Sequence, residues 1–184
     1  MIAAQRVYAA EVFTRRCRVG RFLPALALAL LVFVCTPAES AEVPAACRAK
    51  IDARLPGWRL ATPSAEVTKW AAEMKEGPTI LQLELDGDGV RDTAALIVTG
   101  AGDPPAHRIA VCLTRKAGPE LHVIDDLYCS DGIMIAKKGT RAHDFENSRY
   151  VTYRTNGVHA YCFEKAGATY LFRNGRFIRI VDSD

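Results

Sequence analysis

The chain lacks most of the short motifs that announce a chemistry. It has no G-x-S-x-G, no glycine-rich phosphate loop and no H-E-x-x-H, which removes the nucleophile elbow, the P-loop and the helical zinc pair. No two cysteines stand in C-x-x-C spacing, so a zinc knuckle or a thioredoxin-like dithiol has nothing to build on. Beyond residue 40 the basic residues make only short pairs, Arg115-Lys116 and Lys137-Lys138. Five of the 24 basic and two of the 21 acidic residues lie in 1–40, so 19 of each sign remain in 41–184. A balanced surface of this kind speaks against nucleic acid or an anionic membrane as partner. No internal repeat and no low-complexity tract breaks the chain.

What is present begins with a targeting signature. Arg15, Arg16, Arg18 and Arg21 precede an apolar run from Phe22 to Cys35, and small residues at Ala38 and Ser40 suit cleavage before Ala41. The run is short of the roughly 20 residues that span a bilayer, so residues 1–40 read as a secretory signal peptide and 41–184 as one soluble, periplasmic or secreted domain. Val34 stands before Cys35 where a lipoprotein needs a small residue. Cys17 and Cys35 leave with the signal, and Cys47, Cys112, Cys129 and Cys162 remain. An even number in an oxidising compartment implies two disulfides, with three possible connectivities. The expected pairing is Cys112–Cys129, closing a short loop, with Cys47–Cys162 tying the first helix to the sheet.

The chain is organised around Glu84-Leu85-Asp86-Gly87-Asp88-Gly89-Val90-Arg91-Asp92. Four carboxylates within nine residues repel one another, and a bound divalent cation turns that cost into attraction. In calcium loops oxygen ligands fall at positions 1, 3, 5, 7 and 9 with glycine at 6. Gly89 at position 6 makes the ligands Glu84, Asp86, Asp88, the backbone carbonyl of Val90, and Asp92. Position 12 is Ala95 rather than a bidentate Glu, and the flanks are rich in β-branched residues and leucine, so this is not an EF-hand. The loop resembles the D-x-D-G-D-G-x-x-D loop of FG-GAP and VCBS-type repeats, which implies Ca²⁺ held between two strands. Glu84 replaces the usual first Asp, and the motif occurs once, so the propeller of those families does not carry over. Together with Cys162-Phe163-Glu164-Lys165-Ala166, Tyr170-Leu171-Phe172, Gly175-Arg176-Phe177 and Ser183-Asp184, the chain also resembles a group of small secreted bacterial proteins. That resemblance brings no activity with it.

Periodicity sets the remaining elements. Cys47, Ile51 and Leu55 recur every four residues and predict a helix over 45–55, stopped by Pro56-Gly57. A second helix starts at Thr62-Pro63, carries Val67, Trp70, Ala71 and Met74 on one face, and ends at Gly77-Pro78. Strands are expected near 79–85, 93–99, 107–114, 120–125, 132–137, 149–154, 158–164, 168–173 and 176–181. Turns are expected at 100–105, 117–119, Asn156-Gly157 and Asn174-Gly175. The last predicts a type I′ hairpin that sets Leu171 opposite Ile178, Phe172 opposite Phe177 and Tyr170 opposite Arg179. Residues 139–148 form the longest loop. The fold class is α+β: a twisted antiparallel sheet with both helices on one face.

Catalytic candidates are thin. His107, His122, His143 and His159 are scattered without the i, i+4 spacing of a metal pair. His143-Asp144 with Glu146 is the best place for an acid/base pair, with Ser148 and Tyr153 as the neighbouring hydroxyls. Asp125-Asp126 and Asp131, after Ser130, could supply paired carboxylates, a separation that sequence does not reveal. Tyr150, Tyr153, Tyr161, Phe163, Tyr170, Phe172 and Phe177 crowd the last third, threaded by Arg149, Arg154, Arg173, Arg176 and Arg179. Part of that set is core, and the rest suits an envelope protein or polysaccharide partner. The expected function is a non-enzymatic exported module with a structural Ca²⁺ clip; the alternative is a small periplasmic hydrolase with calcium near its active site.

Overall fold

A computed structural model describes residues 42–100 and 105–183; the expected signal peptide and most of the 100–105 turn lie outside them. Helix α1 (Ala45–Arg54) turns Cys47 and Ile51 inward, as their spacing of four requires, and stops at Leu55 ahead of Pro56 and Gly57. Helix α2 (Ala65–Glu73) begins two residues later than expected. Its first internal bond runs from the Thr68 N–H to the Ser64 carbonyl, and the Ser64 hydroxyl accepts from the Val67 N–H at 3.2 Å. Serine therefore caps the helix, and Pro63 lies before it. Val67 and Ala71 are buried, Trp70 is half-buried, and Met74 at the fraying end is 49 % exposed.

All strand pairs are antiparallel, and they form two stacked sheets rather than one. The first holds β1 (Arg59–Leu60), β2 (Ile80–Leu83), β3 (Asp92–Thr99), β4 (Ala106–Leu113) and β5 (Glu120–Ile124). One edge of β3 is shared, β2 covering Asp92 to Ala95 and β1 covering Ile97 and Val98, while β4 takes the other edge. The second sheet runs β11 (Arg176–Ser183), β10 (Ala166–Arg173), β9 (Gly157–Cys162), β6 (Gly132–Ala136). Strands β7 (Arg141–Asp144) and β8 (Arg149–Thr152) make a separate hairpin. Part of the expected 139–148 loop is thus the strand β7.

The main core lies between the sheets: Leu81, Leu83, Ala94, Leu96, Val98, Ile109 and Val111 meet Ile133, Val158, Ala160, Ala168, Tyr170 and Val181. Strand β3 is buried along its whole length because its other face, through Ala95 and Ile97, packs with Ile80, Ala110 and Cys112 under α1. The two helices do not share a face. Helix α1 covers the first sheet, whereas Trp70 of α2 lies edge-on to Tyr161 of β9 and to Phe163 just after it, at 5.1 and 6.1 Å between ring centres. A single sheet with one covered face leaves half of each strand's side chains in water, and these strands carry too many apolar residues on both faces for that.

The disulfides differ from the expected pairing. Cys47 bonds Cys112 beneath α1, with Cα atoms 5.9 Å apart, and Cys129 bonds Cys162, 5.0 Å apart. Cys112 points to the α1 side of its sheet, within reach of Cys47, and the β6–β9 register that sets Gly132 opposite Tyr161 brings Cys129 beside Cys162. The Asn174-Gly175 hairpin has the predicted register, with φ of +49° and +79°. Asn156-Gly157 is instead the passage from the outer hairpin into the second sheet. A Cβ at Gly157 would meet Leu171 Cδ2 at 2.7 Å and the Tyr170 carbonyl at 2.9 Å, so glycine is needed for close approach and not for a turn.

Candidate metal centre

The acidic stretch joins β2 to β3 as a surface loop fastened from below. Leu85 is fully buried. Asp92, also fully buried, accepts the Leu85 N–H at 3.0 Å and the Thr114 N–H at 2.8 Å. Thr114 donates its hydroxyl to the Arg91 carbonyl at 2.7 Å, and the Asn156 side-chain amide donates to the Glu84 carbonyl at 3.0 Å. The exposed tip folds on itself: Glu84 accepts the Gly87 N–H, Asp86 Oδ1 the Asp88 N–H at 3.2 Å, and Asp88 Oδ1 the Val90 N–H at 2.8 Å. Gly87 and Gly89 take φ of +92° and +81°, which L side chains rarely adopt.

This folding brings one carboxylate oxygen from each of Glu84, Asp86 and Asp88 within 4.8 Å of the others. An ion bound at about 2.3–2.6 Å can touch two oxygens no further apart than about 5 Å, so the three fit a hard divalent cation. Asp92, the expected fifth ligand, lies outside that group, its two oxygens taken by backbone N–H groups. Val90, the expected carbonyl ligand, is exposed at the tip.

A protein cation already stands there. Arg115, just beyond β4, places its Nη1 against Asp86 and 3.6 Å from Asp88 Oδ2, while its Nε donates to Glu120 at 3.0 Å. Burial pushes the Asp86 carboxyl up, but the Arg115 contact and the Asp88 N–H outweigh it and hold the group below the usual range. Asp92 goes the other way: burial raises it against its two N–H bonds, and the charges of Asp86 and Asp88 add to the rise. The like-charge cost seen in the sequence is therefore met in part by an arginine whose position 23 residues after Asp92 no local pattern reveals.

The histidines serve separate places. His122 contacts Glu120 at 3.0 Å, beside the Arg115–Glu120 ion pair, with its ring edge-on to Phe172 and Phe177. The cleft that His122 helps to line includes none of residues 84–92. His143 packs edge-on between Phe145 and Tyr150 on the outer hairpin. Its neighbour Asp144 is buried and accepts the Asn147 N–H and side-chain amide, closing the β7–β8 turn, and Glu146 pairs with Arg179. Asp126 pairs with the same arginine, while Asp131 accepts the Phe163 N–H.

One polar cluster had no sequence signal. On the outer face of the second sheet, Asp182 accepts hydrogen bonds from Tyr153 and from Thr169, the latter at 2.5 Å. His159 Nδ1 lies 3.0 Å from Thr169 Oγ1 and 3.2 Å from Asp182. Since the Thr169 hydrogen goes to Asp182, both atoms within reach of Nδ1, Thr169 Oγ1 and Asp182 Oδ1, are acceptors, which assigns the ring proton to Nδ1. Burial pushes the Asp182 carboxyl up, yet the His159, Thr169 and Tyr153 contacts together hold it below the ordinary value.

Family models, curated proteins and solved structures were all compared with this chain, and none matches.

Proposed function

We propose that the domain is an exported, non-catalytic module whose 84–92 tip binds Ca²⁺ as a structural clip, and whose outer surface engages an envelope protein or polysaccharide. The observation that carries the calcium reading is the convergence of Glu84, Asp86 and Asp88 within 4.8 Å. Carboxylate-only donors favour a hard ion such as Ca²⁺ over softer metals. In this reading the ligands are those three side chains and the Val90 carbonyl, and Asp92 positions the loop through its bonds to the Leu85 and Thr114 N–H groups. Arg115 acts as a resident counter-cation that Ca²⁺ displaces from Asp86, which weakens affinity without abolishing it. Export is supported by the two disulfides. The partner surface is the outward row Arg141, Tyr150, His143 and Phe145, in which Tyr150 is 65 % exposed.

Calcium titration followed by calorimetry and thermal melting tests the clip. Ca²⁺ raises the melting temperature of the wild type, because a ligand that binds only the folded state stabilises it. Arg115→Ala binds Ca²⁺ more tightly than wild type, and Asp88→Ala loses the response. A wild type indifferent to Ca²⁺, with its tip ordered in chelator, overturns the reading.

A further inference from the structure

A second site lies on the opposite side of the first sheet from the main core. Between the C-terminal half of α1 and strands β4 and β5 runs an open cleft of about 860 Å³. Lys50 and Arg54 reach it from the helix, Arg108 from β4, and Asp125 from the end of β5. The three cations face one carboxylate. Among the described residues none of Lys50, Arg54 and Arg108 has an ion-pair partner, and Asp125 pairs with none of them. Asp52, the acidic residue of α1, is engaged elsewhere, accepting the Trp58 indole N–H at 2.6 Å. Helix α1 also directs its partially negative end toward Arg54 and Leu55, too weak a charge to balance three cations.

The decisive group is Arg108. Its Nε is buried and has no hydrogen-bond partner. An N–H of a charged group left without an acceptor is costly, and because Arg108 as a whole is only half-buried and lines the cleft, a small shift of its guanidinium lets an anion held there supply the missing acceptor. Leu55, Leu121 and Val123, each half-buried, line the same cleft. Inorganic anions gain nothing from such walls, whereas an anion with a short apolar body covers them.

We propose that this cleft binds an organic anion, its carboxylate or phosphate held by Arg108 with Lys50 and Arg54, and its apolar part lying on Leu55, Leu121 and Val123. The site is separate from the acidic tip and needs no metal, so it stands or falls independently of the calcium reading.

The test is an NMR titration in chelator of the ¹⁵N,¹³C-labelled domain, reading the Arg108 Nε–H and the methyl groups of Leu121 and Val123. The probes are hexanoate and monobutyl phosphate, with inorganic phosphate and 1-hexanol as controls. Saturable shifts of both the guanidinium and the methyl signals with either organic anion support the site, and the tighter of the two identifies the preferred head group. Arg108→Gln weakens binding by about tenfold or more, as loss of a charged hydrogen bond requires. Lys50→Gln with Arg54→Gln, both at exposed helix positions where folding is safe, weakens it several-fold. Three results overturn the proposal: no saturable shift with either organic anion; equal binding by the double variant; or equal affinity for inorganic phosphate with the methyl signals unmoved, which marks an adventitious ion only.

Discussion

The outer faces of the two sheets are covered by different means. Over the first sheet, Cys47 and Ile51 of α1 and nearby Val43 sit on Ile80, Ala95, Ile97, Ala110 and Cys112, an entirely apolar contact sealed by a disulfide. Over the second, the β7–β8 hairpin meets Leu171 and Ile180 at one end, but the centre is held by the His159, Thr169, Asp182 and Tyr153 network. Apolar cover is non-directional and tolerates exchange of one hydrophobe for another. A buried polar network holds only while every member keeps its partner. The first face should therefore give way by degrees and the second at single atoms.

Removing the Cys47–Cys112 bridge has the largest expected effect. The crosslink closes a separation of 65 residues, and the loss of that constraint on the unfolded chain costs about 4 kcal/mol. Urea unfolding of the Cys47→Ala, Cys112→Ala double variant measures it, and a loss no greater than that of Ile51→Val would mean that α1 is held by packing alone. Next comes Asp182→Ala, which takes away the acceptor of the Thr169 hydroxyl, one partner of Tyr153 and the carboxylate beside His159, and costs about 3 kcal/mol. If the same unfolding assay finds it as mild as a surface substitution, the contrast between the faces fails. Asp92→Ala leaves the Leu85 and Thr114 N–H groups unpaired at the base of the loop and costs about 2 kcal/mol.

Acid separates these carboxylates with the smallest effect. Asp182 sits below its ordinary value when folded, so the stability it adds is present above the unfolded value of 3.8 and is lost as pH falls through the depressed folded one. Asp92 sits above 3.8, so its cost is relieved as pH falls through the raised folded value. Stability measured from neutral pH into acid should therefore decline less steeply for Asp182→Asn than for wild type, and more steeply for Asp92→Asn. The same slope for all three would deny the opposite environments of the two acids.

The nine expected strands were legible because alternation and turn residues mark them, and the Asn174-Gly175 register follows from turn geometry alone. The same dipeptide at 156–157 misleads, since the demand there is for space against Leu171 and not for positive φ. Strand β7 was invisible because Arg141-Ala142-His143-Asp144 carries a single apolar residue. The carboxylates of the loop are adjacent in sequence and so could be read. Asp182 meets Thr169 and Tyr153 across 13 and 29 residues, a meeting that only strand register creates. Arg115, which reaches the loop from beyond β4, was missed for the same reason.

The disulfides also say something about assembly. Among the described residues the bonds join the first cysteine to the second and the third to the fourth, so their loops neither overlap nor enclose one another. On the proposed export, an oxidant that acts on thiols in the order in which they leave a translocation pore produces these pairs directly. An exported chain of this pattern needs no isomerase to reach its native bonds.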